Sequence, residues 1–203
     1  SLLRARDRAT VEHCQRVARL ASDLAGRRGL REDERRDLFL AGLLHDLGKV
    51  GFEDRILRGD KISDSDRALL REHPTIAAEV LGSFPELERV RMFISEHHER
   101  IDGSGYPRGL KGDEIHPFSH LLSASDVFDA LTENRSYRKA LSPESAVMLM
   151  ESGRAGALDP SLEEQQAAGA PCLGVREHEA RGDGQQAPDR RDAPEGPHQV
   201  PHA

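Results

Sequence analysis

The chain has 203 residues and a net charge of −7, with 36% hydrophobic, 32% charged and 4% aromatic residues, and this length predicts one domain or slightly more. No run of about 18 apolar residues and no signal-peptide pattern is present, so we expect neither a membrane span nor secretion. The only two cysteines, Cys14 and Cys172, are too few and too far apart for a disulfide framework, which favours a reducing cytoplasm.

Composition divides the chain into two parts. Residues 163–203 lack Ile, Phe, Tyr, Trp and Met and hold five of the eleven prolines, so they cannot bury enough apolar surface to offset chain entropy. We therefore predict a domain over residues 1–162 and a disordered, low-complexity tail over 163–203. The predicted domain has 25 basic and 28 acidic residues, a balance that argues against a DNA-binding protein.

Apolar residues recur at helical spacing along most of the predicted domain. One helix is predicted over 11–25 and ends at Gly26, and a second begins near Asp33, carries apolar residues over 38–47 and is expected to end at Gly48. Further helices are predicted over 63–72, 74–81, 86–98, 117–131 and 143–152.

Two of these helix starts carry clear capping signals. Ser63 and Ser142 are favourable N-cap residues, and Pro143 suits the first helical position. No alternation of apolar and polar residues persists, although a short hairpin near residues 109–116 remains open. The sequence therefore predicts an all-α fold.

Histidines and aspartates are placed where these predicted helices end or face inward. The pair at 97–98 continues the apolar stripe of Phe93 and Ile94, and Asp126 follows Leu122 at a step of four. A buried carboxylate is costly unless it is paired or bound to a metal, and such side chains in a helix bundle can hold two ions. The candidate ligands are His13, His45, Asp46, His73, His97, His98 and Asp126.

A single histidine on an apolar helix face is more often an ordinary structural residue, and we keep that interpretation for His116 and His120. The adjacent pairs at 45–46 and 97–98 favour a metal site instead. Imidazole and carboxylate ligands suit Fe, Mn, Zn or Ni, whereas Ca prefers oxygen ligands alone. Two such ions about 3.5–4 Å apart lower the pKa of a bridging water and clamp the oxygens of a phosphodiester.

Several segments resemble one known family. Residues 45–49, HDLGK, resemble the signature of the HD phosphohydrolase superfamily, and residues 97–107, HHERIDGSGYP, resemble the second signature of its HD-GYP subgroup. Further agreement lies in DRATVEH at 7–13, His73-Pro74, DVFDALTENRSYR at 126–138 and LDP at 158–160. The resemblance covers residues 1–162.

This resemblance implies an HD-type helical bundle with a metal centre between its helices. The implied activity is hydrolysis of cyclic di-GMP to linear pGpG or onward to GMP. His13, His45, Asp46 and Asp126 would hold one divalent ion, and His73, His97 and His98 a second, with Asp46 shared between them. Fe or Mn is expected first, with Zn or Ni as alternatives. Members with a third ion have Glu where this chain has Ala9, so two ions are expected.

The resemblance also implies residues that act on the substrate. Asp46 and Lys49 would be catalytic, and substrate would contact Lys49, Gly105, Tyr106, Arg135 and Arg138. Each has an ordinary alternative. Lys49 could be a solvated lysine at a helix end, the loop with Gly105 and Tyr106 a simple tight turn, and the two arginines surface charges. Glu99 and Asp102 would either orient the histidines or cap helix ends.

Two other functions remain open at this point. The chain could hydrolyse another nucleotide, such as a mixed cyclic dinucleotide or a guanosine polyphosphate, or it could be a non-catalytic sensor or partner-binding module. The sequence begins with Ser rather than Met, which leaves room for an upstream sensory or receiver domain. Diguanylate cyclase domains are further expected partners, and the oligomeric state is not predicted.

Overall fold

Helices form nearly all the regular structure in the residues that this computed structural model describes, which are 8–57, 62–134 and 138–152. The α-helices are α1 (Arg8–Arg27), α2 (Glu32–Leu44), α3 (Asp54–Leu57), α4 (Asp64–Arg71), α5 (His73–Leu81), α6 (Glu88–Glu96), α7 (Pro117–Thr132) and α8 (Pro143–Glu151). Segments of 3-10 helix are Leu47–Gly51, Pro85–Leu87 and Gly112–Glu114. The predicted all-α fold is confirmed.

Some predicted features lie beyond these residues. Three predictions fall outside the described residues: the tail over 163–203, the boundary at residue 162 and the helix stop at Gly153. The described residues all belong to one compact unit, Ser1–Pro171. In place of the hairpin considered near residues 109–116, the structure has one isolated antiparallel bridge between Asp102 and Lys111. Among the described helices, none combines the length and apolar character needed to cross a bilayer.

The main core lies between α1, α2, α6 and α7, with α5 packed against α6. Each helix buries one apolar stripe, which gives most of the free energy that orders the bundle, at roughly 25 cal/mol per Å² of apolar surface. The central buried side chains are Val17, Ala21, Leu38, Ala41, Phe93, Ile94 and Leu122. The predicted N-caps are confirmed, because the hydroxyls of Ser63 and Ser142 accept the backbone N–H of Asp66 and Ser145.

Two helix ends differ from the sequence prediction. The prediction that α2 runs to Gly48 is wrong, because α2 ends at Leu44 and a 3-10 segment takes over from Leu47. Gly48 instead lets two backbones meet, since a Cβ there would lie 2.1 Å from the carbonyl oxygen of His73. Helix α6 ends at Glu96, two residues early, which places His97 at its C-cap.

Glycine also sets the distance between α1 and α2. A Cβ on Gly42 would lie 2.5 Å from the Cα and 2.7 Å from the backbone nitrogen of Ala18. These atoms belong to the backbone of α1, so they cannot move aside as a flexible side chain would. The two helices therefore pack closely only because position 42 has no side chain.

We expect Gly42→Ala to lower the free energy of unfolding by about 1–3 kcal/mol through overpacking. Alanine in a helix normally stabilises by about 1 kcal/mol relative to glycine, so the sign of the change is diagnostic. Gly51→Ala is the matched control, because nothing lies within 4 Å of its added Cβ, and it should change stability by less than about 0.5 kcal/mol. Urea unfolding measures both, and equal stabilities would contradict the close packing.

Candidate metal centre

The seven predicted ligands come from five helices and their ends, and the structure brings them together. One candidate ligand atom from each of His13, His45 and Asp46 lies within 4.8 Å of the other two. The ring nitrogens of His73, His97 and His98 form a second group with the same 4.8 Å limit. We call these the first and the second ligand group. Both are candidate sites for a metal ion.

Asp46 connects the two groups. Its Oδ1 lies 3.5 Å from Nε2 of His45 and 3.5 Å from Nε2 of His73. Asp126, on α7, adds its carboxylate to the first group, with Oδ1 3.1 Å from Nε2 of His13 and 3.8 Å from Nε2 of His45. The predicted division of ligands therefore matches the spatial grouping.

Helix ends orient three of the histidines. The last carbonyls of a helix lack the usual N–H partner four residues further along, and the ring of a histidine three residues further along can donate to them. Nδ1 of His45 lies 2.9 Å from the carbonyl oxygen of Gly42, and Nδ1 of His97 lies 2.6 Å from the carbonyl oxygen of Ile94. His73 bonds Leu70 at 2.7 Å in the same way. A proton on Nδ1 leaves the Nε2 lone pair as the ligand atom.

The second ligand group suits a divalent cation. Nε2 of His73, His97 and His98 is buried, and none of the three atoms has a hydrogen bond within the described part of the chain. Burial lowers the pKa of His97 to about 4 and holds the pKa of His73 and His98 well below its usual range. Neutral imidazoles with unpaired lone pairs are costly in a folded protein unless a ligand binds them.

The carboxylates in the first group are charged. Burial alone would raise the pKa of Asp46, but Lys49, His45 and His73 keep that pKa well below its usual range. For His13, burial lowers the pKa, yet hydrogen bonds to Asp126 and Asp129 outweigh it and raise the pKa to about 9. The raised pKa of His13 thus reflects its two carboxylate partners, one on each ring nitrogen.

Lys49 lies beside these carboxylates. Its Nζ is 2.9 Å from Oδ1 of Asp46, the oxygen that faces both histidine groups. It reaches this place from the 3-10 segment Leu47–Gly51 rather than from a continued α2. The predicted substrate contact of Lys49 stays a prediction, and its ion pair with Asp46 is an additional role.

The loop with the GSGYP sequence packs against the second group. The ring of Tyr106 stacks on that of His98, with centroids 4.8 Å apart, and its backbone N–H donates to the carbonyl of His98. A Cβ on Gly105 would lie 2.4 Å from the backbone nitrogen of Arg100, so only glycine fits. The predicted substrate contacts of Gly105 and Tyr106 stay predictions beside these structural roles.

Two arginines were predicted to bind phosphate. Arg135 lies outside the described residues. The guanidinium of Arg138 donates to the carbonyls of Ala130 and Leu131, at 2.5 Å and 3.0 Å, and so caps the end of α7. This gives Arg138 a structural function, and its contact with phosphate stays a prediction.

Glu96 and Glu99 flank the histidine pair and hold the following loop. The carboxylate of Glu99 accepts the backbone N–H of Arg108 at 2.6 Å and that of Leu110 at 2.9 Å. Glu96 accepts from the Arg108 guanidinium and from Ser119 at 2.8 Å each. Glu99 therefore shapes the loop instead of bonding a histidine. Sequence reasoning missed Glu96, although charge at a buried helix end was an available signal.

Two other side chains have local roles, and a third lies outside both ligand groups. Oδ1 of Asp102 accepts the N–H and the hydroxyl of Ser104, which favours a turn-forming function. His116 caps α7 by accepting the N–H of Phe118, so its structural interpretation is confirmed. His120 belongs to neither ligand group.

Asp129 is a further residue that the sequence analysis missed. Its Oδ2 is 2.7 Å from Nδ1 of His13, and its Oδ1 is 2.6 Å from Nε of Arg16. The one available signal was its position three residues after Asp126, on the same face of α7.

Comparison with known proteins gives consistent results. Residues 1–162 match the family described as HD domain. The chain is 33% identical over 152 residues to 3'3'-cGAMP-specific phosphodiesterase 3 of Vibrio cholerae, with 74% of this chain and 33% of that protein covered. It is 35% identical over 158 residues to the cyclic di-GMP phosphodiesterase response regulator RpfG of Xanthomonas campestris, with 76% and 42% covered.

A solved structure is also similar. Bd1817, an HDG"Y"P protein from Bdellovibrio bacteriovorus, superposes with a TM-score of 0.59 at 25% identity, over 76% of this chain and 50% of that one. The chain thus spans about a third to two fifths of the length of the enzymes it resembles.

We expect Glu99→Gln to destabilise the protein by about 1–3 kcal/mol, because an amide can accept only one of the two N–H groups and presents a donor to the other. Glu86→Gln is the control, since Glu86 is exposed. Hydrogen exchange at Arg108 and Leu110 measures the local effect, and unchanged protection of both amides would contradict the assignment.

Proposed function

The chain belongs to the HD-GYP group of the HD domain family, and on that premise we propose that it is a metal-dependent phosphodiesterase that hydrolyses cyclic di-GMP to linear pGpG or onward to GMP. The observation that carries the proposal is the set of buried Nε2 atoms of His73, His97 and His98, which have no hydrogen bond among the described residues and lie beside the shared carboxylate of Asp46. Relatives named as cyclic di-GMP phosphodiesterases support the choice of substrate.

Two ions would occupy the two ligand groups. His13, His45, Asp46 and Asp126 would hold one, and the histidines of the second group would hold the other, with Asp46 shared. When bound, divalent ions supply an activated water at neutral pH and neutralise charge on the phosphodiester. Fe or Mn fits this mixture of imidazole and carboxylate, as do Zn and Ni.

The protein side chains would position the substrate. Lys49 holds a positive charge 2.9 Å from Asp46, where it can bind a phosphate oxygen as that oxygen gains charge. Neutral His97 and His98 keep their lone pairs for ligation. Tyr106 fixes the His98 ring by stacking, and its loop, through Gly105, would form one wall for a nucleotide. Arg135 and Arg138 would contact the phosphates. Arg138 would use guanidinium N–H groups other than those that donate to the carbonyls at the end of α7.

A mixed cyclic dinucleotide is the second candidate substrate. It is favoured by the relative named as a 3'3'-cGAMP-specific phosphodiesterase at 33% identity. The two molecules share the phosphodiester ring and differ in one base, so the metal centre would treat them alike. Discrimination would have to come from contacts to the base.

The setting of the enzyme is also a proposal. We place it in the cytoplasm with a sensory or receiver domain upstream, since RpfG is named as a response regulator and this chain covers 42% of it. Diguanylate cyclase domains remain proposed partners.

The activity test uses a panel of substrates. Protein loaded anaerobically with Mn²⁺ or Fe²⁺ is given cyclic di-GMP, 3'3'-cGAMP and a guanosine polyphosphate, and the products are separated by chromatography. We expect cyclic di-GMP to be cleaved fastest. Two bound ions per chain without hydrolysis of either cyclic dinucleotide would contradict the enzyme and favour the sensor function.

Asp46→Ala should remove both the metal and the activity, because it deletes the carboxylate that both groups share. We expect the metal content to fall from about two ions per chain to less than one. The matched control is His120→Ala, which removes an imidazole outside both groups and should keep both properties. Mass spectrometry of the dialysed proteins gives the metal content.

Lys49→Met should separate substrate positioning from metal binding. Removing a charged donor to the phosphate is expected to lower kcat about 10²–10³-fold while both ions remain bound. Lys139→Met removes an exposed lysine side chain and serves as the control. A fall in metal content equal to the fall in kcat would show that Lys49 acts only through Asp46.

A further inference from the structure

We propose that Asp129 is a positioning residue for His13 and that it sets the metal affinity of the first ligand group separately from that of the second. The inference rests on the proposed function to the extent that both groups hold divalent ions. It goes further in assigning different affinities to the two ions and in naming the residues responsible.

His13 differs from the other oriented histidines. It lies inside α1 rather than at a helix end, so it is not beside terminal carbonyls such as those that orient His45, His73 and His97. Its Nδ1 bonds instead to Oδ2 of Asp129 at 2.7 Å, across 116 positions of sequence. Its Nε2 then lies 3.1 Å from Oδ1 of Asp126. Two carboxylates one turn apart on α7 thus hold the two nitrogens of one imidazole.

Asp129 is itself held in place. It is buried, with 3% of its surface exposed. Arg16 donates two hydrogen bonds to it, from Nε to Oδ1 at 2.6 Å and from Nη2 to Oδ2 at 3.0 Å. Arg16 lies one turn after His13 on α1, so a forked ion pair ties α1 to α7 next to the ligand. Glu133 completes the arrangement on the solvent side, 3.2 Å from Nη2 of Arg16 and half exposed.

This partner changes the chemistry of the ligand. A carboxylate on Nδ1 makes Nε2 more basic and fixes the ring, and loss of such a partner costs about 10–100-fold in metal affinity. The oriented histidines of the second group, His73 and His97, have neutral backbone carbonyls in that place. Among the described residues, the carboxylates within 4 Å of a histidine nitrogen are Asp46, Asp126 and Asp129 for the first group and Asp46 for the second. The first group should therefore bind its ion more tightly.

The test is a double-mutant cycle read by Mn²⁺ binding. His98→Ala disables the second group and leaves the first, and adding Asp129→Asn to it should weaken Mn²⁺ binding about 10–100-fold. His13→Ala disables the first group, and Asp129→Asn should then change the affinity of the remaining site less than about twofold. Free Mn²⁺ is quantified by its electron paramagnetic resonance signal.

Two further variants serve as controls. Glu133→Gln removes a carboxylate that contacts Arg16 but not His13, and it should leave Mn²⁺ binding unchanged in both backgrounds. Arg16→Met keeps the Asp129 carboxylate but frees it to rotate, so a smaller loss is expected, again only with His98→Ala. Arg16→Met also carries the test if Asp129→Asn does not fold, as judged by circular dichroism.

The outcomes separate this inference from the proposed function. Equal losses from Asp129→Asn in both backgrounds would show a general structural effect and overturn the inference. Wild-type protein that binds no Mn²⁺ would overturn both proposals. Two bound ions with no hydrolysis of cyclic dinucleotides would overturn only the phosphodiesterase, and the selective loss at the first group would still support the role of Asp129.

Discussion

The arrangement of this protein depends on one buried carboxylate that must be compensated. Asp46 is 5% exposed, and an isolated charge at that depth would be too costly to keep. Its Oδ1 has Lys49 at 2.9 Å and two histidine Nε2 atoms at 3.5 Å. Two of these neighbours lie within three residues of Asp46, whereas His73 begins α5, so residues 45–49 and the start of α5 have to meet at this point.

This requirement explains where the helices stop. Helix α2 ends at Leu44 and α6 at Glu96, so their last carbonyls are available to orient His45 and His97 through Nδ1. The chain then approaches the backbone of His73 at Gly48, where no side chain fits. The ends of the helices thus serve as the rigid support of the ligands, which loops alone would position less accurately.

The sequence located the histidines and aspartates that cluster in the structure because its signals are local. Adjacent pairs such as His97 and His98, and helical steps such as that from Leu122 to Asp126, need no knowledge of the fold. Asp129 could not be found in this way, since its bond to His13 spans 116 positions. The predicted extension of α2 to Gly48 failed for the same reason: glycine at a helix end and glycine at a close approach of two backbones have the same sequence pattern.

The four residues 96–99 couple the histidine pair to the loop that follows it. The histidines in this turn face the ligand groups, whereas Glu96 and Glu99 face the loop and accept its N–H groups. Tyr106 from that loop returns to stack on His98. A shift of the loop would therefore move an imidazole, and a shift of the imidazole would move the loop. Contacts that close into a ring in this way couple the position of the loop to that of the His98 ring without a long-range path, since both depend on one helix end.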